Sequence, residues 1–192
     1  MNIFMLDSNP RAAAIYHVDK HVIKMILETA QLLSTAHRVL DGQLTTSTTT
    51  GRKKTSYVLP DDRENHLYKA THVNHPSAIW CRSGLNQYRW TYDLFYHLTL
   101  EYTYRYGKHH KCEFLLDHLW NAPDNINSEA PWTGATPAMP DECKVPNDSV
   151  ESYRNYYIQH KNRMAKWTNR AIPTWYKHSD WIKKRNAEVS VR

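Results

Sequence analysis

Between residues 10 and 40 the apolar positions fall on one side of a helix. On a wheel of about 100° per residue, Ile15, Val18, Val22, Met25, Ile26, Leu33, Ala36 and Leu40 share a face, with Leu27 and Leu32 on its flanks. Asn9-Pro10 supplies a capping side chain followed by the residue suited to a first helical turn, and Asp41-Gly42 supplies a stop. The pattern predicts one helix of about 30 residues. Ahead of it, Ile3-Phe4-Met5-Leu6 reads as a short buried strand or an extended arm.

Weaker patterns follow. Asp61 to Ala70 predicts a short helix, and Asn74-His75-Pro76-Ser77 opens a second long helix through Tyr106, with Gly107 as its stop. A third helix is predicted over Lys111–Trp120, and Asp148-Ser149-Val150-Glu151 is a cap signal for a fourth, reaching Lys166. Residues 43–62 and 122–147 lack periodicity and read as long flexible loops, the first holding a Thr-rich run and Gly51-Arg52-Lys53-Lys54. The fold class expected is mainly α: a single compact helical domain over residues 1–192, with two long helices, a short N-terminal extended arm and long loops.

Composition narrows the function classes. The chain has 192 residues, enough for one real core, and its 5 glycines argue against a turn-rich β fold. Three scattered cysteines give neither a disulfide framework nor a C-x-x-C metal pair, and point to free thiols in a reducing cytoplasm. The first residues lack the basic start of a signal peptide, and no apolar run has the roughly 20 residues of a membrane span. A net charge of +6, a basic tail at 180–192, and 7 Trp with 13 Tyr suit a polyanion whose bases stack on aromatic rings. Nucleic acid is the partner this implies.

Opposite the apolar face of the first helix lies a narrow polar line. His17, His21, Lys24, Glu28 and Thr35 fall within about 60° of one another, with Gln31 and Arg38 beside them. Such a line can face water, but a solvated face is usually wide and poor in histidine. A cleft suits it better, because a carboxylate beside Lys and His is an acid–base arrangement. Lys24 and Glu28 are also spaced for a simple i, i+4 ion pair. His17 and His21 share the i, i+4 spacing of metal ligands, and His72 and His75 could add to them in a metal-dependent hydrolase. No carboxylate at metalloprotease spacing accompanies them, and the preferred reading has no metal and no cofactor.

Three short blocks carry a resemblance. Asp19-Lys20-His21 followed by Glu28, then Thr71-His72-Val73, then Pro173-Thr174-Trp175-Tyr176-Lys177 occur in the order of similar blocks in the pyrimidine-dimer DNA glycosylases of the endonuclease V type. The N-terminal half also resembles uncharacterised small proteins of large tailed phages, which would place the chain in the host cytoplasm. The glycosylase resemblance implies an enzyme acting on damaged or modified bases in double-stranded DNA. Its nucleophile is a terminal α-amine and its carboxylate stabilises the sugar cation. Carried onto this chain, that implies Glu28, Met1, His21 and Lys24 as catalytic groups, Lys24 being a fallback amine. His17, Arg38, His72, His75, Trp175, Tyr176, Lys177 and the basic Arg52, Lys53 and Lys54 would bind phosphate or stack on an extruded base. The family carries Thr after the initiating Met where this chain has Asn2, has about five fewer residues before the helix motif, and lacks the two long loops. A non-catalytic nucleic-acid-binding protein of the same fold is the main alternative.

Overall fold

The computed structural model describes residues 1–48, 51 and 54–179, with only the backbone of Lys54. It is mostly helical with one small sheet. Asn9 caps α1 (Pro10–Tyr16), its side chain accepting the amide of Ala12, and Pro10 takes the first position. The predicted 30-residue helix is broken here. His17 and Val18 are extended, and α2 (Asp19–Asp41) starts afresh.

Neither Pro nor Gly marks the break; distant donors satisfy it. Arg105 donates to the carbonyls of Ile15 and His17, both at 2.9 Å, and the Trp167 indole donates to Tyr16 O at 2.9 Å. The Asp19 amide donates to Lys166 O at 2.8 Å. Carbonyls that would otherwise be orphaned at a helix end are all paired.

The loop expected at 43–62 is largely a β-hairpin. β1 (Gln43–Ser47) pairs antiparallel with β2 (Lys54–Val58), Gln43 opposite Val58 and Ser47 opposite Lys54. Its Thr-rich, β-branched composition supports the pairing. α3 (Arg63–His66) follows. The second long helix is also divided, into α4 (Pro76–Cys81) and α5 (Leu85–Tyr106), with Gly84 extended between them. A Cβ on Gly84 would lie 2.6 Å from Ala130 Cβ, so residues 127–131 pack against this joint. Gly107 ends α5 with φ 62, as expected of a left-handed stop.

A 3₁₀ turn at Lys111–Leu115 leads into α6 (Leu116–Leu119). Residues 122–147 are mainly irregular, with a 3₁₀ turn at Asp141–Cys143. Asp148 caps α7 (Ser149–His160) through the Glu151 amide at 2.8 Å, and α7 stops well before Lys166. The short α8 (Thr174–Lys177) completes the described chain. α2 and α1 both pack on α5, and one buried apolar cluster runs from Ile3 to Tyr176.

The N-terminal arm is not a strand. It lies fully within the core, Ile3 and Leu6 at 0% exposure. It turns at Phe4, whose φ of 51 costs a bulky residue about 1–2 kcal/mol. The Phe4 ring offsets this by stacking on His21 (centroids 4.3 Å apart) and meeting Tyr153 and Tyr157 edge-on. That anchor sets where the chain begins.

Candidate functional site

Apart from the exposed Lys24, the polar line of the first helix is turned away from bulk water. It divides into three parts with different surroundings. At its start, His17 and His21 belong to the core. His17 donates from Nδ1 to Ala13 O at 2.7 Å, and burial pulls its pKa down to about 4. His21 Nδ1 lies 2.6 Å from the Tyr157 hydroxyl, and burial, then the neighbouring His17, pulls its pKa down to about 3. Both are neutral imidazoles under the Phe4 ring. The expected substrate contact of His17 and catalytic role of His21 require an opening, and both side chains are buried.

The far end of the line is a clamp. Arg38, at 0% exposure, donates to the carbonyls of Tyr57 (3.0 Å), Leu67 (2.9 Å), Tyr68 (2.5 Å) and Glu64 (3.2 Å), and to the Glu64 carboxylate at 2.5 Å. A guanidinium spent on four carbonyls and a carboxylate has no donor left for phosphate. Thr35 ties to the same segment through the Thr71 backbone.

In the middle, three of the expected residues come together. Glu28 is buried and meets three groups. Its Oε1 meets Lys24 Nζ at 3.1 Å, and its Oε2 accepts the Asn2 amide at 3.0 Å with the Met1 α-nitrogen 4.0 Å away. Lys24 is one helical turn below Glu28, so their pairing follows from sequence spacing. The Met1 contact depends on the arm, held by the turn at Phe4 and by Asn2 Nδ2 donating to Ala138 O at 2.9 Å. His75 lies close enough for the terminal amine, His72 and Glu28 all to act on it. Its pKa is lowered, chiefly by burial and then by the amine and His72, with Glu28 opposing. His75 also caps α4, its Nδ1 accepting the Ser77 amide. His72 is exposed, at φ 48, with Nδ1 2.7 Å from Thr71 Oγ1.

Glu28 opens on its other side into a cavity of about 700 Å³. Lys24, Glu28 and Gln31 form one wall with the half-exposed Ile23 and Leu27. Tyr68, Tyr102, His109, His110 and Lys111 form the facing wall. Met1, His72 and His75 are not among the residues lining it; Glu28, 4.0 Å from the Met1 nitrogen, is. Tyr102 meets His110 edge-on, centroids 5.2 Å apart, and the Tyr68 hydroxyl lies 3.3 Å from Cys112 Sγ. Sequence reasoning missed this second wall. The run His109-His110-Lys111 just past a helix stop was the available signal, but nothing in the spacing says it returns to α2.

The remaining expected residues lie elsewhere. Tyr176 packs as core against Trp167, and the partly buried Trp175 packs on that core, edge-on to Tyr16 and Tyr157. Lys177, in α8, is exposed, and neither it nor those two rings lines the cavity. Arg52 and Lys53, the side chain of Lys54, and the tail at 180–192 lie outside the described residues. His17, His21, His72 and His75 do not bring three ligand atoms together. Among the described residues the group that does is Glu142, Cys143 and His160. No described helix is long and apolar enough to cross a membrane. Comparison with known proteins finds no matching family model, no matching curated protein and no matching solved structure.

Proposed function

We propose that this chain is a DNA glycosylase-type enzyme with abasic-site lyase chemistry, acting on a damaged or modified base in double-stranded DNA. The observation that carries the reading is the α-nitrogen of Met1 4.0 Å from a buried carboxylate that also lines an open cavity. The Asn2 nitrogen is 3.0 Å from the same carboxylate, so loss of Met1 would still leave an α-amine at Glu28.

The residues divide the work by position. Breaking the glycosidic bond sends its electron pair to the departing base and leaves positive charge at the sugar C1′. The Glu28 carboxylate stabilises that charge. The α-amine attacks C1′ through its lone pair, loses a proton to a nearby base, and forms an imine as the sugar ring opens. β-Elimination then breaks the strand. α-Amines are less basic than lysine side chains, so more of the population is neutral at cell pH. Lys24 is exposed and paired to Glu28 Oε1, which makes it the lesser candidate amine. The extruded base would lie between Ile23 and Leu27 on one wall and Tyr68 and Tyr102 on the other. Lys24, Lys111 and His109 at the rim suit phosphate.

Borohydride trapping on a duplex with an abasic site tests this. The expected product is a covalent adduct mapped by mass spectrometry to the first residue and retained in Lys24→Met. Glu28→Gln is expected to lower cleavage about 100-fold or more while leaving duplex binding in place. Absence of any adduct, with equal behaviour of Glu28→Gln, removes the enzymatic reading. Salt-sensitive DNA binding that survives that result would then identify a non-catalytic binding protein.

A further inference from the structure

We infer that Glu142, Cys143 and His160 form a binding site for a zinc-like divalent cation, with three protein ligands and a fourth position open to water. One ligand atom from each residue lies within 4.8 Å of the other two. In a tetrahedral zinc site with bonds of about 2.0–2.3 Å, such atoms sit about 3.3–3.8 Å apart, so binding needs a contraction of at most about 1.5 Å. His160 Nε2 is already 3.2 Å from Glu142 Oε1.

The donor set selects the metal class. Thiolate with imidazole excludes calcium and magnesium, which take oxygen ligands, and suits zinc and its neighbours. An ordinary Glu–His ion pair would not need a thiol turned to the same point. Cys143 is fully buried, and a divalent cation would take it as the thiolate. Cys81 and Cys112 are also free, so no disulfide accounts for Cys143. His160 closes the 12-residue α7, where the helix dipole favours a cation. Glu142 and His160 also line an open cavity of about 650 Å³ with Glu151 and Asn155, which leaves room for a water or a further ligand. Gln159 Oε1, 3.8 Å from Cys143 Sγ, is a further oxygen beside the site.

The site has a structural consequence. The turn carrying Glu142 and Cys143 belongs to the segment whose Ala138 carbonyl holds Asn2. The same segment is tied to α7 by Tyr153 donating to Thr136 O at 3.1 Å. A cation at this point would clamp the segment to α7 close to where it supports the N-terminal arm. The binding claim itself does not rest on the glycosylase reading.

The full chain, stripped with a chelator, is titrated with zinc chloride by calorimetry and separately loaded with cobalt(II). One equivalent of zinc is expected, with a rise in thermal midpoint. The cobalt form should show a sulfur-to-metal charge-transfer band and the strong visible bands of tetrahedral coordination. His160→Ala, a substitution at a partly exposed position, should keep the parent circular dichroism and lose both signals. Cys143→Ser should lose the charge-transfer band, and Glu142→Gln should weaken zinc binding. Absence of stoichiometric zinc, unchanged binding in a folded His160→Ala, or a cobalt spectrum without sulfur charge transfer overturns the site. None of these readouts involves DNA, so each stands apart from the proposed activity.

Discussion

Arg38 separates two accounts of the same residue, phosphate binder or internal clamp. It lies at 0% exposure and donates to four carbonyls and to Glu64, whose carboxylate also pairs with Lys69 and accepts the Leu59 amide at 3.0 Å. Arg38→Lys keeps the charge but offers at most three donors where the guanidinium uses five bonds, so at least two partners are left unpaired. At about 1 kcal/mol for each net bond, and more where a carbonyl is left dry, the cost is about 2–3 kcal/mol. Arg38→Met removes every donor and leaves Glu64 without its buried partner, for about 3–5 kcal/mol. With a urea dependence of about 2 kcal/mol per molar, the lysine variant should lower the unfolding midpoint by about 1–1.5 M. Equilibrium urea unfolding followed by Trp fluorescence measures this directly. A midpoint unchanged in Arg38→Lys, together with DNA binding lost in Arg38→Met at full stability, would refute the clamp and restore the phosphate role.

Three further outcomes follow from the packing around the arm and the helix joints. His17, His21 and His37 are held neutral, with pKa values lowered to about 4, 3 and 4, chiefly by burial. Their folded values lie below the unfolded one, so the unfolded chain binds more protons in acid. Stability should fall as pH drops below about 6.5, each histidine tending toward about 1.4 kcal/mol per pH unit until its folded pKa is approached. A urea midpoint that stays flat from pH 7 to 5 contradicts that burial. Phe4→Ala empties the space between His21, Tyr153 and Tyr157, and should cost about 3 kcal/mol less the relief of backbone strain. It should also separate the N-terminus from Glu28, read as a loss of borohydride trapping. Gly107→Ala meets no atom within 4 Å and should cost only the left-handed penalty of about 1 kcal/mol. Gly84→Ala, at 2.6 Å from Ala130 Cβ, should cost clearly more. Equal thermal shifts for the two alanines would contradict this ordering.

Local chemistry was legible in the chain itself. Asn9-Pro10, Asp148 and Gly107 mark helix ends because each meets a backbone need within a few residues, and the structure uses all three. Lys24 and Glu28 meet because a helix brings i and i+4 together. The buried side of α2 follows from apolar spacing alone, including Val22, Met25, Ile26 and Leu33. What only the tertiary structure decided is where long patterns break and which polar groups are sealed. The division at His17–Val18 exists because Arg105, Trp167 and Lys166, 88 to 151 positions away in the bonds they make, satisfy the opened backbone. A wheel drawn through residues 10–40 treats as one face what the break separates. The histidines fall under Phe4, Arg38 falls onto the backbone of residues 57–68, and only Glu28 and its neighbours reach the cavity. Helix ends are settled by bonds a few residues long, whereas the approach of the Met1 nitrogen to Glu28 depends on packing between segments that no local spacing encodes.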